Sequence, residues 1–124
     1  MSKTVLVVDD SAMMRKIVIK NLKELNGDLE IVEAGDGKDA LAAFGSKQVD
    51  MVITDWNMPN MSGIELVKEL RKLDPEKKIP VIMVTSEATA DKVKEAVVAG
   101  ANNYIAKPFT PDGFKQKMGP MLGG

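Results

Sequence analysis

The 124-residue sequence predicts an α/β fold, a parallel sheet wrapped by helices. Three features carry that prediction. Short runs rich in branched apolar residues alternate with stretches whose apolar residues recur at helical spacing, the habit of strand-helix-strand units. The main strand-like runs are apolar almost throughout, as strands covered on both faces are. Several of them also stop on polar residues, so a parallel arrangement gathers those residues along one edge of the sheet.

Thr4-Val5-Leu6-Val7-Val8 is nearly all branched and belongs at the centre of the sheet. From Ser11 to Leu25 the residues Met14, Ile17, Val18, Leu22 and Leu25 form an apolar stripe, with Arg15, Lys16, Lys20 and Lys23 turned outward. Asn26-Gly27-Asp28 ends this helix, and Leu29 to Glu33 alternates like a less buried strand near an edge. Asp36-Gly37 opens a helix through Ala40, Leu41 and Phe44 that Gly45 closes, ahead of the apolar run from Val49 to Asp55. Ser62-Gly63-Ile64-Glu65 has capping-box spacing, and Leu66, Val67, Leu70 and Leu73 mark a helix face that Asp74-Pro75 stops. Ile79 to Val84 reads as the fourth strand, ending on Thr85-Ser86, and Glu87 to Ala99 as an Ala-rich helix that packs lightly. Gly100 to Asn103 turns the chain into a short strand, Tyr104-Ile105-Ala106, which Lys107-Pro108 ends. The last helix runs from about Pro111 to Met118, where Gly119-Pro120 should break it.

Composition narrows the function. The 17 basic and 18 acidic residues nearly cancel, which indicates neither a nucleic-acid footprint nor an acidic tail. No cysteine is present, so disulfides and thiolate sites are excluded, and the absence of histidine removes the usual general base and zinc ligand. The apolar run after Met1-Ser2-Lys3 is too short for a signal peptide or a membrane span, so a cytoplasmic protein is expected. Residues 1–124 fit one unit with a real core, with no output domain expected.

Asp9-Asp10, Asp55, Thr85 and Lys107 each follow an apolar strand, so in a parallel sheet all five lie along one edge. Three carboxylates a few ångströms apart repel by roughly 4 kcal/mol per close pair at an effective dielectric of 20, more than a single lysine can neutralise. A divalent cation is called for, and an oxygen-only ligand set points to magnesium or manganese. With its charge screened, Asp55 is suited to attack phosphorus and carry a phosphoryl group as a mixed anhydride. The Thr85 hydroxyl and the Lys107 ammonium are suited to sense the added charge.

Val7-Val8-Asp9-Asp10-Ser11, the segment from Thr54 to Gly63, Val84-Thr85-Ser86, Gly100-Ala101, and Tyr104 with Lys107-Pro108-Phe109 together resemble the receiver domain of two-component response regulators, its single-domain chemotaxis members above all. The resemblance covers nearly the whole chain. It implies a flavodoxin-like, doubly wound sheet of five strands in the order 2-1-3-4-5. It further implies that Asp55 accepts phosphate from a sensor histidine kinase of the chemotaxis type. Asp10 and Asp55 would bind Mg2+, with the Asn57 backbone carbonyl as a further ligand and Asp9 assisting. Thr85 would follow the phosphoryl group and Tyr104 would turn inward behind it. This remodels the face of the fourth helix, fifth strand and last helix, which the family presents to the flagellar switch protein FliM. Asn57 and Glu87 stand where the family tunes the phosphoryl lifetime, and Lys107-Pro108 matches the family's cis peptide. A monomer is expected, with a phosphatase as a further partner.

Plainer readings stand beside these. Asp10 also fits a cap for the first helix, Thr85 or Ser86 a cap for the fourth, and Asp55 a turn residue. Tyr104 fits a packed aromatic, and the 9 methionines fit core filler and loop contacts better than a copper site. Capping leaves Lys107 and the doubled acid unexplained. A break at Gly119-Pro120 would shorten the family's partner face. The functional alternative is a relay intermediate or phosphate sink. A hydrolase of the haloacid dehalogenase type normally needs an acid two residues past its nucleophile, where this chain has Asn57.

Overall fold

A computed structural model of the chain describes residues 3–76, 78–86 and 89–122. Strands and helices alternate as β1 (Thr4–Val8), α1 (Ala12–Leu25), β2 (Glu30–Ala34), α2 (Gly37–Ser46), β3 (Met51–Asp55), α3 (Gly63–Leu73), β4 (Val81–Thr85), α4 (Ala90–Ala99), β5 (Asn103–Ala106) and α5 (Pro111–Leu122). The strands pair in parallel in the order β2-β1-β3-β4-β5. Both the α/β class and the implied strand order are therefore found. Among the described residues no helix is long and apolar enough to cross a membrane.

The pleat sorts each strand's side chains between two cores. Leu6, Val8, Val52 and Met83 pack with Ile64, Leu66, Val67 and Leu70 of α3 and Ala96 of α4. Val5, Val7, Ile53, Val84 and Ile105 pack on the other face with Val18 and Leu22 of α1 and Phe114 and Met118 of α5. β1, β3 and β4 are buried along their whole lengths, whereas β2 leaves Glu30 and Glu33 exposed, as an edge strand should.

The first and fourth helices are capped by side chains further along the chain than those the plainer readings proposed, by one residue at α1 and by at least three at α4. Ser11 Oγ accepts from the Met14 N–H at 3.2 Å, and Thr89 Oγ1 from the Lys92 N–H at 3.3 Å. Asp10 and Thr85 are thus not the caps of α1 and α4. Asp36 caps α2 as expected. Ser62 caps α3, but its hydroxyl meets the Glu65 carboxylate directly, in place of the reciprocal bond from the Ser62 N–H.

Several boundaries differ from expectation. β2 lies one residue later, and β4 starts at Val81 because Pro80 has no N–H to give the ladder. α4 begins at Ala90, three residues after Glu87. α5 does not break at Gly119-Pro120 but continues to Leu122. Pro120 sacrifices a single bond in the last turn, to the carbonyl of exposed Gln116, while Met121 packs on the α1/α5 core. Leu73 and Ile17, expected in the core, are 57% and 39% exposed.

Arg71 is the polar centre of the sheet's amino end. Its guanidinium donates to the Gly100 carbonyl from Nε and Nη2, to the Ile79 carbonyl, to Asn102 Oδ1 and to Asp74. Asn102 Oδ1 also accepts from the Val81 N–H, so one side chain joins α3, the start of β4 and the turn before β5. Gly100 makes room for it: a Cβ there would lie 2.8 Å from Arg71 Cγ, and its φ of 122° is glycine's own. Arg71→Met strands these buried acceptors, and urea unfolding is expected to show a loss of about 3–5 kcal/mol. A loss below about 1 kcal/mol would mean that water replaces the guanidinium.

Candidate functional site

Three buried strands deliver the site. β1 and β3 pair Val8 with Thr54, so Asp9, one step further, comes beside Asp55, the last residue of β3. On the other side Asp55 pairs with Val84, and Thr85 pairs with Ala106 at the end of β5. Lys107 follows, its N–H bonded to the Thr85 carbonyl at 2.7 Å, and the Lys107-Pro108 peptide is cis as the resemblance implied. Register alone therefore aligns Asp9, Asp55, Thr85 and Lys107 along the carboxyl edge of the sheet.

Side-chain direction then divides them. Asp55 continues the row of Met51 and Ile53, on the face covered by α1 and α5, and its Oδ1 accepts from Lys107 Nζ at 2.8 Å. The same ammonium lies 3.4 Å from Asp9 Oδ2. Oxygens of Asp9, Asp10 and Asp55 lie within 4.8 Å of one another, so one ammonium faces three acids. Thr85 continues the row of Val81 and Met83 on the opposite face and is buried. Tyr104 pairs with Met83, is half-buried against that same core, and carries Lys117 Nζ 4.2 Å from its ring centroid. The acids and Lys107 form one cluster; Thr85 and Tyr104 form a second row behind it.

Burial pushes the Asp9 carboxyl above the usual carboxylate range. The Ser11 N–H, bonded to Asp9 Oδ1 at 2.9 Å, works against that, the charge of Asp55 adds to it, and Lys107 opposes it. Burial pulls Lys107 downward, but the hydrogen bond and charge of Asp55, joined by Asp9, prevail and raise it. A single lysine thus leaves an excess of negative charge on oxygen donors alone, which fits a hard divalent cation such as Mg2+.

Asn57 is exposed in the loop after β3, and Glu87 lies outside the described residues. Three features escaped the sequence reading. Arg15, expected to turn outward, is half-buried, and its Nη1 donates to the Asp9 carbonyl at 2.6 Å. Ile17 is exposed because it lines, with Met14, Ser86, Lys107, Pro108 and Phe109, an apolar groove of about 280 Å³ beside the lysine. Gly63 is packed so tightly under the end of β3 that a Cβ would collide with the Asp55 carbonyl oxygen. A glycine in the first turn of a helix, where better formers are available, was the signal for that contact.

Among known proteins, the response regulator receiver domain family matches residues 5–118. The chain is 46% identical to the chemotaxis protein CheY of Pseudomonas aeruginosa over 114 residues, covering 92% of this chain and 91% of that protein. The solved chemotaxis response regulator CheY4 of Vibrio cholerae superposes with a TM-score of 0.84 at 35% identity, covering 94% and 95% of the two chains. A CheY-like receiver domain protein of Methanospirillum hungatei gives a TM-score of 0.86 at 28% identity over 99% and 95%.

The raised Asp9 carboxyl binds its proton more readily in the folded than in the unfolded chain. Its ionised form therefore costs stability at neutral pH, and that cost disappears as pH falls through the raised value. Asp9→Asn keeps an oxygen for the Ser11 N–H and removes the charge. In chelator, its urea midpoint is expected above the parent's at neutral pH, with the gap closing on acidification. A midpoint at or below the parent's at neutral pH would contradict this account.

Proposed function

The chain belongs to the response regulator receiver domain family, and we propose that it is a cytoplasmic chemotaxis response regulator that accepts a phosphoryl group on Asp55. The convergence of Asp55 with Asp9, Asp10 and Lys107 carries this reading. An acid at the end of a buried strand, flanked by two more acids and a lysine, gains nothing as a core residue. It is suited to receive a group that brings phosphate oxygens.

A carboxylate oxygen of Asp55 attacks the phosphorus of a kinase phosphohistidine; the nitrogen-phosphorus bond breaks and the imidazole leaves. Asp9, Asp10 and Asp55, with the Asn57 carbonyl, would hold Mg2+, which when bound supplies positive charge to the incoming phosphate oxygens. Lys107, already bonded to Asp55, stays as the cation beside the product. Thr85 then turns its hydroxyl to the phosphoryl group from the neighbouring strand. Tyr104 shares the Thr85 face and follows it inward, altering the α4/β5/α5 surface. Asn57 and Glu87 tune how fast water removes the group.

Two observations favour a motor-binding output over a relay or sink. Matched relatives carry the name chemotaxis protein CheY, which supports a chemotactic output. α5 runs to Leu122, so the partner face is not shortened at Gly119-Pro120. The partners would be a chemotaxis-type histidine kinase and the flagellar switch protein FliM, with a phosphatase to reset the monomer.

Trp56 offers the test, because it is the only tryptophan, is buried and adjoins Asp55. Magnesium is expected to change its fluorescence, and acetyl phosphate with magnesium to change it again. Asp55→Asn should lose the second response. If that variant responds to the phosphodonor as the parent does, the nucleophile is wrongly assigned. Capture of the chain by FliM should strengthen on phosphorylation; unchanged capture would favour the relay.

A further inference from the structure

Arg15 stands outside the cluster of acids and Lys107, yet it is bonded to the backbone that carries two of those acids. Its Nη1 donates to the Asp9 carbonyl oxygen at 2.6 Å, and its Nε to Glu33 Oε1 at 3.0 Å. The side chain is 19% exposed and lies along the end of β2, while Glu33 is 49% exposed. That carbonyl belongs to the peptide joining Asp9 to Asp10, so its plane sets the direction in which the chain leads from one acid to the next.

Asp9 has further restraints: its N–H donates to the Ala34 carbonyl at 3.2 Å, and its carboxylate accepts from the Ser11 N–H. Asp10 is exposed, and among the described residues its side chain makes no hydrogen bond. Its direction is therefore held through the peptide that Arg15 grips. Glu33 fixes the guanidinium in turn, from the neighbouring strand.

We infer that Arg15 is a positioning residue for the metal site: anchored by Glu33, its guanidinium fixes the Asp9-Asp10 peptide so that both carboxylates face Asp55. The inference rests on the reading of Asp9, Asp10 and Asp55 as magnesium ligands. Groups that orient metal ligands through hydrogen bonds set affinity without touching the ion.

Charge and positioning predict opposite signs here, which makes the inference testable. Removing a cation near a cation site should tighten binding if Coulomb attraction alone matters. Loss of positioning should weaken it. Titration calorimetry of the full chain with magnesium chloride reads the affinity, and urea unfolding in chelator establishes that each variant is folded.

Arg15→Met is expected to weaken magnesium binding by about tenfold. Arg15→Lys keeps the charge but cannot reach both oxygens with a fork, so a smaller loss is expected. Glu33→Gln keeps an acceptor for Nε and should remain close to the parent, where charge alone predicts weaker binding. Arg15→Met binding as tightly as the parent, or more tightly, overturns the inference. Should that variant fail to fold, Arg15→Lys with parental affinity overturns it equally. A parent that binds no magnesium overturns the metal reading together with this one.

Discussion

Lys107 brings one positive charge to a place where two other strand ends have each delivered a carboxylate. Its ammonium lies 2.8 Å from Asp55 and 3.4 Å from Asp9, with Asp10 close behind. Burying like charges together is costly, and a fold tolerates it only where the surroundings determine the arrangement. Here they do, because β1, β3 and β4 are buried along their lengths and cannot slip register by one residue without exchanging the side chains fitted into the two cores. The apolar strands thus hold the acids at a separation that the acids alone would not choose.

The pleat gives this edge a second property. Met51 and Ile53 of β3 and Ile82 and Val84 of β4 face α1 and α5, and the alternate residues Val52, Val81 and Met83 face α2, α3 and α4. Asp55 and Lys107 stand on the first side, Thr85 and Tyr104 on the second. The acid-lysine cluster and the Thr85-Tyr104 row are therefore separated by the thickness of a strand, and in the proposed function these are the chemistry and its readout. Thr85 is the link, since its carbonyl binds the Lys107 N–H while its side chain belongs to the opposite face. A change at Asp55 has a short covalent and hydrogen-bonded route to the other side.

Local chemistry made most of this legible. Branched apolar runs, turn residues and the capping pattern at Ser62 reported the order of elements, because each expresses a preference of the chain over a few residues. The gathering of Asp9, Asp10, Asp55 and Lys107 followed from parallel strands alone. What escaped was set by tertiary contact. Arg15 occupies an outward position on the helical wheel, yet its long side chain folds back to the Asp9 carbonyl and Glu33, a bend that periodicity cannot express. Ile17 keeps the spacing of a core residue but lies along a groove. Pro120 has the local character of a helix breaker, and the packing of Met121 overrides it in the final turn.

The helices are also held unequally. α3 buries six residues, including Arg71, whereas α4 buries only Ala96 and leaves Val97 and Val98 exposed. Segments with few buried contacts open at lower free energy than the rest of a fold. α4 is therefore expected to open at lower free energy than α3. One of its contacts reaches that edge directly: Lys92 Nζ lies 5.1 Å from the centre of the Trp56 ring, beside Asp55. A cation over an aromatic face contributes on the order of 1 kcal/mol, enough to bias a loosely held helix and too little to lock it. The carboxylate edge is carried by strands buried along their lengths and α4 beside it by few buried contacts, so under the proposed phosphorylation of Asp55 it is α4, and not the sheet, that is expected to move.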